Sequence, residues 1–101
     1  MIIHQREIRY KANYAEFFNI LLKVKERMEE KFPEIPVELL YNLAGERGRV
    51  VIQRRYPSLA EYERIDADMD KDEELTKLHQ SIVAATGSMP VDQFYRVIKN
   101  S

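Results

Sequence analysis

The run Arg49-Val50-Val51-Ile52-Gln53-Arg54-Arg55-Tyr56-Pro57-Ser58-Leu59-Ala60-Glu61-Tyr62-Glu63-Arg64 constrains this chain more than any other segment. Val50 to Tyr56 alternates with the period of a strand, and Pro57 ends it by removing a backbone donor. Ser58, with Glu61 three residues on, has the pattern of a capping box that starts a helix. A strand that passes into a helix through a two-residue joint must lay that helix back across a sheet, so a layered α+β fold is expected.

The flanking segments extend this plan. Ile2 to Tyr10 reads as a strand, with Ile2, His4, Arg6, Ile8 and Tyr10 on one face and Ile3, Gln5, Glu7 and Arg9 on the other. Asn13 and Glu16 have helix-start chemistry, and Tyr14, Phe17, Leu21, Val24, Met28 and Phe32 then recur at helical spacing up to Pro33. Val37 to Leu43 alternates again, and Gly45-Glu46-Arg47-Gly48 joins it to the Arg49 strand as a hairpin. The helix from Ser58 is expected to break around Asp70 to Asp72 and to resume through Leu75, Leu78, Ile82 and Ala85. It is capped at Gly87, and a last strand runs from Val91 to Lys99. This order predicts a ferredoxin-like βαββαβ domain over residues 1–101, with a four-stranded antiparallel sheet and both helices on one face. Because two helices cover one face while apolar and aromatic side chains occupy both, a second copy of the chain is expected on the open face.

Composition narrows the function. The 101 residues contain no cysteine, so disulfides, thiolate metal sites and cysteine nucleophiles are excluded. The apolar runs are far too short to cross a bilayer, and Met1 to Arg6 lacks signal-peptide architecture, so a soluble cytoplasmic protein is expected. The net charge of −1 argues against a phosphate-neutralising protein. The element order is also that of RNA-recognition motifs, but Val51 and Ile52 stand where stacking rings are needed, so nucleic acid is not an expected partner.

Acidic residues concentrate between Glu61 and Glu74, where 8 face only 2 basic ones. The alternation Asp66, Asp68, Asp70, Asp72, Glu74 is similar to the start of a calcium loop. Lys71, however, occupies the position needing glycine, and Lys77 the one needing a bidentate glutamate. These acids are read as a helix junction that caps the following segment, and His79 as a packed or exposed side chain. No metal and no cofactor is expected.

The whole chain resembles the dimeric α/β-barrel superfamily, in its NIPSNAP-like and antibiotic-biosynthesis-monooxygenase-like branches. The resemblance rests on the opening strand with Arg6, on Phe17-Phe18 early in the first helix, and on Arg55-Tyr56-Pro57-Ser58-Leu59-Ala60-Glu61-Tyr62. It implies that two subunits press their open sheet faces together, that the space between holds a small molecule, and that cofactor-free oxygenase or isomerase chemistry is one use of that space. The chain departs from the NIPSNAP-like pattern at His4, where Glu is usual, at Arg54, where Trp is usual, and at Ala12-Asn13, which replaces a Pro-Gly.

The candidate site follows from strand parity. His4 and Arg6 share a face, Arg54 and Tyr56 share a face, and the first and third strands are neighbours in this topology. His4 is the candidate acid or base, Arg6 and Arg54 the holders of a carboxylate or enolate, and Tyr41, Tyr56 and Tyr95 the groups that stack on or hydrogen-bond to a small aromatic or anionic ligand. The alternative is a non-enzymatic homodimer with a purely structural interface, serving as an interaction or regulatory module.

Overall fold

A computed structural model describes residues 1–11, 14–43 and 48–98. The elements run β1 (Ile2–Arg9), α1 (Tyr14–Lys31), β2 (Val37–Tyr41), β3 (Arg49–Tyr56), α2 (Leu59–Met69), α3 (Glu73–Thr86) and β4 (Val91–Arg96). The four strands form one antiparallel sheet in the order β2-β3-β1-β4, so β1 and β3 lie at its centre. This is the expected ferredoxin-like α+β plan, with the second helical segment divided in two.

Local chemistry explains the boundaries. Ser58 sits in extended geometry and its hydroxyl accepts from the Glu61 amide at 3.2 Å, which starts α2. Asp72 caps α3 in the same way, accepting from the Leu75 amide at 2.9 Å, so the acidic run is a helix junction as expected. Its carboxylate is buried and also receives Arg27 at 2.7 Å and Lys31 at 3.3 Å from α1. Gly87 ends α3 with φ +66°, the left-handed geometry open to glycine. The Asn13 cap and residues 45–47 of the hairpin turn lie outside the described residues. Gly48, with φ +83°, accepts from the Tyr10 amide at 2.9 Å and ties the end of β1 to the start of β3. The last strand is shorter than expected, ending at Arg96.

The helices cover one face of the sheet. Phe17, Leu21, Val24 and Met28 of α1 pack with Leu75 and Ile82 of α3 over Ile8, Val37, Val50 and Ile52. A second apolar cluster joins Ile2, Phe32, Ile35, Tyr56 and Ile65 at the other end of the same face. The opposite face carries Ile3, Gln5, Glu7, Val51, Gln53 and Arg55, and no helix among the described residues packs over it. No helix among the described residues is long and apolar enough to cross a membrane.

Candidate functional site

The face of β1 that meets the helices reads Ile2, His4, Arg6, Ile8, apolar at both ends and polar between. On β3 the same face reads Val50, Ile52, Arg54, Tyr56. The register sets His4 opposite Arg54 on one side and opposite Phe94 of β4 on the other, and sets Arg6 opposite Asp92. A polar island therefore lies between the two apolar clusters. The cover above it opens at the α2–α3 joint, where Met69, Asp70, Leu75 and Thr76 border a cavity of about 680 Å³. His4, Arg6, Arg54, Tyr56 and Asp92 line its sheet side, and His79, Gln80, Val83 and Ala84 its α3 side.

The cavity that these residues line lies between the sheet and the helices of one chain, on the face opposite the one where a second copy is expected. The face with Ile2, Ile8, Val50, Ile52 and Tyr56 is the more apolar of the two, so it is the one that the helices bury.

Of the expected site residues, four come together and two do not. Tyr95 lies opposite Ile3, on the face away from His4, and its hydroxyl donates to Gln93 at 2.6 Å. Tyr41 ends the edge strand β2, 64% exposed, and does not line the cavity. Neither tyrosine is placed to touch a ligand held beside His4.

Asp92, which was not expected, organises one wall. Arg6 makes a bidentate pair with it, Nε to Oδ1 at 2.7 Å and Nη2 to Oδ2 at 3.0 Å, while His4 Nε2 meets Oδ1 at 2.9 Å. Burial pushes the Asp92 carboxyl up, but the bonds from Arg6 and His4 outweigh it and hold the group below the usual carboxylate range. Arg6 is raised in turn, chiefly by its bond to Asp92. Because an ionised carboxylate only accepts, His4 Nε2 must carry a proton, which leaves the lone pair of the neutral ring on Nδ1. Burial lowers the His4 pKa from the usual histidine value against the opposing pull of Asp92, which favours the neutral ring. Phe94 stacks on it at 4.7 Å and Tyr62 leans on it at 5.4 Å, which fixes its plane. Tyr62 itself is pushed up to about 12, first by burial and then by Asp66, and stays a phenol.

Arg54 has no such partner. It is 1% exposed, yet no carboxylate among the described residues lies within ion-pair distance of it. Its Nη2 donates to the Ile35 carbonyl at 3.2 Å, Nη1 reaches only the Met69 sulfur at 3.3 Å, and Nε has no acceptor. Its guanidinium carbon lies 5.3 Å from the centre of the ring of the fully buried Tyr56, whose hydroxyl interacts with the same guanidinium. Burial depresses the pKa of Arg54 and raises that of Tyr56. Burying a cation without a counter-charge costs several kcal/mol, so a site that holds one in place is suited to receive an anion.

His79 reaches the cavity from α3, and burial followed by the nearby Arg6 charge lowers its pKa. Among the described residues no cluster of three His, Asp or Glu side chains is arranged to hold a metal ion. Asp92 and His79 were legible only as a polar residue on a strand and as a histidine beside a core leucine. The contact of Asp92 with His4 spans 88 residues of sequence, and His79 shares only the cavity with them.

No family model matches this sequence, and neither does any curated protein. Solved structures do match over nearly the full length. An uncharacterised NIPSNAP domain protein from Burkholderia xenovorans superposes with a TM-score of 0.80 at 15% identity, covering 97% of this chain and 95% of that one. A candidate antibiotic biosynthesis monooxygenase from Caulobacter crescentus gives 0.76 at 14% identity, over 97% and 90%. SnoaB from Streptomyces nogalater, described as a cofactor-independent oxygenase, gives 0.72 at 10% identity, over 98% and 94%. The chain thus has the fold shared by NIPSNAP-domain and antibiotic-biosynthesis-monooxygenase-like proteins.

Proposed function

We propose that this protein binds a small organic molecule with an anionic group in the cavity between its sheet and α2–α3, and that Arg54 receives the anion. The observation that carries this reading is Arg54, a buried cation that lines the cavity with no carboxylate among the described residues within ion-pair distance. A cavity of about 680 Å³ is within the usual range for organic ligands. Its remaining wall, with Met28, Ile52, Met69 and Leu75, suits an apolar or aromatic body behind the charged head. The deep position of Arg54 and the exposed position of Met89 and Gln80 suggest entry with the anion leading. The description of SnoaB as a cofactor-independent oxygenase supports a small-molecule role for this fold, and the enzymatic version of the reading places the chemistry at His4.

A second copy of the chain is proposed on the open sheet face, where Ile3, Val51, Leu40, Val91 and Tyr95 surround the Gln5–Gln53–Glu38 hydrogen-bond row. This pairing leaves the cavity of each copy intact, because the cavity lies on the other side of the sheet.

The test is a ligand-observed magnetic-resonance screen of aromatic and aliphatic carboxylic acids alongside their primary amides. Acids are expected to bind and amides to bind weakly. Arg54→Met should reduce acid affinity by roughly 10- to 100-fold, the loss of one charge-assisted hydrogen bond. Equal binding of acids and amides would defeat the reading.

A further inference from the structure

We propose that the cavity is built for a zwitterion: Arg54 receives the carboxylate of the ligand, and Asp66 of α2 receives a protonated amine carried on the same apolar body. This deepens the anion-binding reading and rests on it, and it makes Asp66 the residue that selects among organic acids.

The placement of Asp66 follows from the helix that carries it. Tyr62, Ile65, Asp66 and Met69 recur at helical spacing on α2, and Ile65 is fully buried while Tyr62 and Met69 pack against the apolar cluster beneath. Asp66 shares this inward side, half-buried, and lines the cavity. Its charge is felt at His4, Arg6 and Tyr56, three residues of the sheet side. A carboxylate turned toward a sheet loses water and is normally met by a cation or by hydrogen-bond donors. Among the described residues the Asp66 carboxylate has neither. Burial, and then the charge of Asp70, raise its pKa against the smaller pull of Arg6 and His4.

The neighbouring acids are in a different position. Asp72 receives Arg27, Lys31 and the Leu75 amide, and Asp70 is open to solvent. Asp92 holds Arg6 through two bonds, so that guanidinium is not available to Asp66. Asp66 is therefore the carboxylate counterpart of Arg54, each lining the cavity without an ionic partner.

Charge balance favours filling both positions at once. Asp66, Asp70 and Asp92 border the cavity against Arg6 and Arg54, and burial favours the neutral form of both histidines. An acid without an amine adds to this negative excess, whereas a zwitterion brings one charge of each sign. Arg54 belongs to β3 and Asp66 to α2, so the ligand reaches from the sheet to the helical cover, with its apolar body against Met69 and Leu75.

Saturation-transfer titrations test the proposal with two pairs of acids that differ only by an amine: phenylalanine with hydrocinnamate, and para-(aminomethyl)benzoate with para-toluate. The pairs set the carboxylate and the amine at different separations. In at least one pair the amine-bearing acid should bind roughly 10-fold more tightly, the effect of one charge-assisted hydrogen bond. Asp66→Asn should remove that preference and leave the plain acid bound at least as tightly as before, while Arg54→Met should weaken both members. Plain acids that bind as tightly as their amine-bearing counterparts in both pairs, or a preference that survives Asp66→Asn, would overturn the zwitterion proposal and leave the anion-binding reading standing. Failure of all four acids to bind would count against the anion-binding reading itself and remove this proposal with it.

Discussion

Arg54 illustrates how one side chain can oppose stability and serve binding. A buried guanidinium with one carbonyl and one thioether for company contributes less than a methionine of similar length would. Arg54→Met is therefore expected to leave the melting temperature unchanged or raise it, while weakening anion binding as described above. The two histidines make a separate prediction, because both have pKa values below 6.5, each chiefly through burial. Around pH 6.5 the unfolded chain takes up protons that the folded chain does not. Stability is accordingly complete above that pH and is lost as the pH falls through 6.5 toward the folded values. The groups facing His4 are Asp92, Arg6 and Asp66, and those near His79 are Arg6, Asp92 and Asp70. Of these carboxylates, Asp92 is held below the usual range by its bonds to Arg6 and His4, and Asp66 is displaced upward by burial and the nearby Asp70. Thermal melts at about pH 7.5 and about pH 5.5 should show the lower midpoint in acid, and His79→Gln should shrink the difference without abolishing it, His4 remaining. A midpoint independent of pH over that window would mean that the histidines titrate in the fold as they do in the unfolded chain.

Among the secondary elements, the joints matter more than the spans. Gly48 stands in the left-handed region, and an added Cβ would lie 2.8 Å from the Tyr10 carbonyl oxygen. Gly87 is also left-handed, but a Cβ there would meet nothing within 4 Å. Gly48→Ala is expected to cost about 1–3 kcal/mol, the sum of backbone strain and a contact with rigid main chain. Gly87→Ala should cost less, and chemical denaturation of the two variants checks the order. At the α2–α3 joint the break has a functional result as well as a local cause. Asp70 caps the end of one helix and Asp72 starts the next, and Met69, Asp70, Leu75 and Thr76 around them form the rim of the cavity.

For the molecule as a whole, the two sheet faces divide the work. One face carries the core and the cavity, and the other supplies the surface on which a second copy is proposed. Light scattering at micromolar concentration should report about twice 12.0 kDa. Val51→Lys, at the centre of the open face, should give a folded monomer with the same helical circular dichroism. A wild-type monomer under those conditions would refute pairing through this face. Ligand binding by such a monomer is expected to persist, since the cavity lies on the other side of the sheet from Val51.

Periodicity, caps and breakers determined the elements of this protein, because each acts over a few residues. The Ser58–Glu61 start, the break at Asp70 to Asp72, the Gly87 cap and the placement of Arg54 and Tyr56 on one face were all legible along the chain. Strand parity also grouped His4 with Arg6. What parity cannot state is which face the helices cover, since it relates neighbours on a strand and not the strand to a distant helix. That choice followed from the summed burial of Ile2, Ile8, Val50, Ile52 and Tyr56, and it set His4, Arg6, Arg54 and Tyr56 under the helices and not on the open face. The same reason separates Tyr95 from the site and brings Asp92 into it. Asp92 reaches Arg6 across 86 residues of sequence, through a β1–β4 pairing that only the assembled sheet creates.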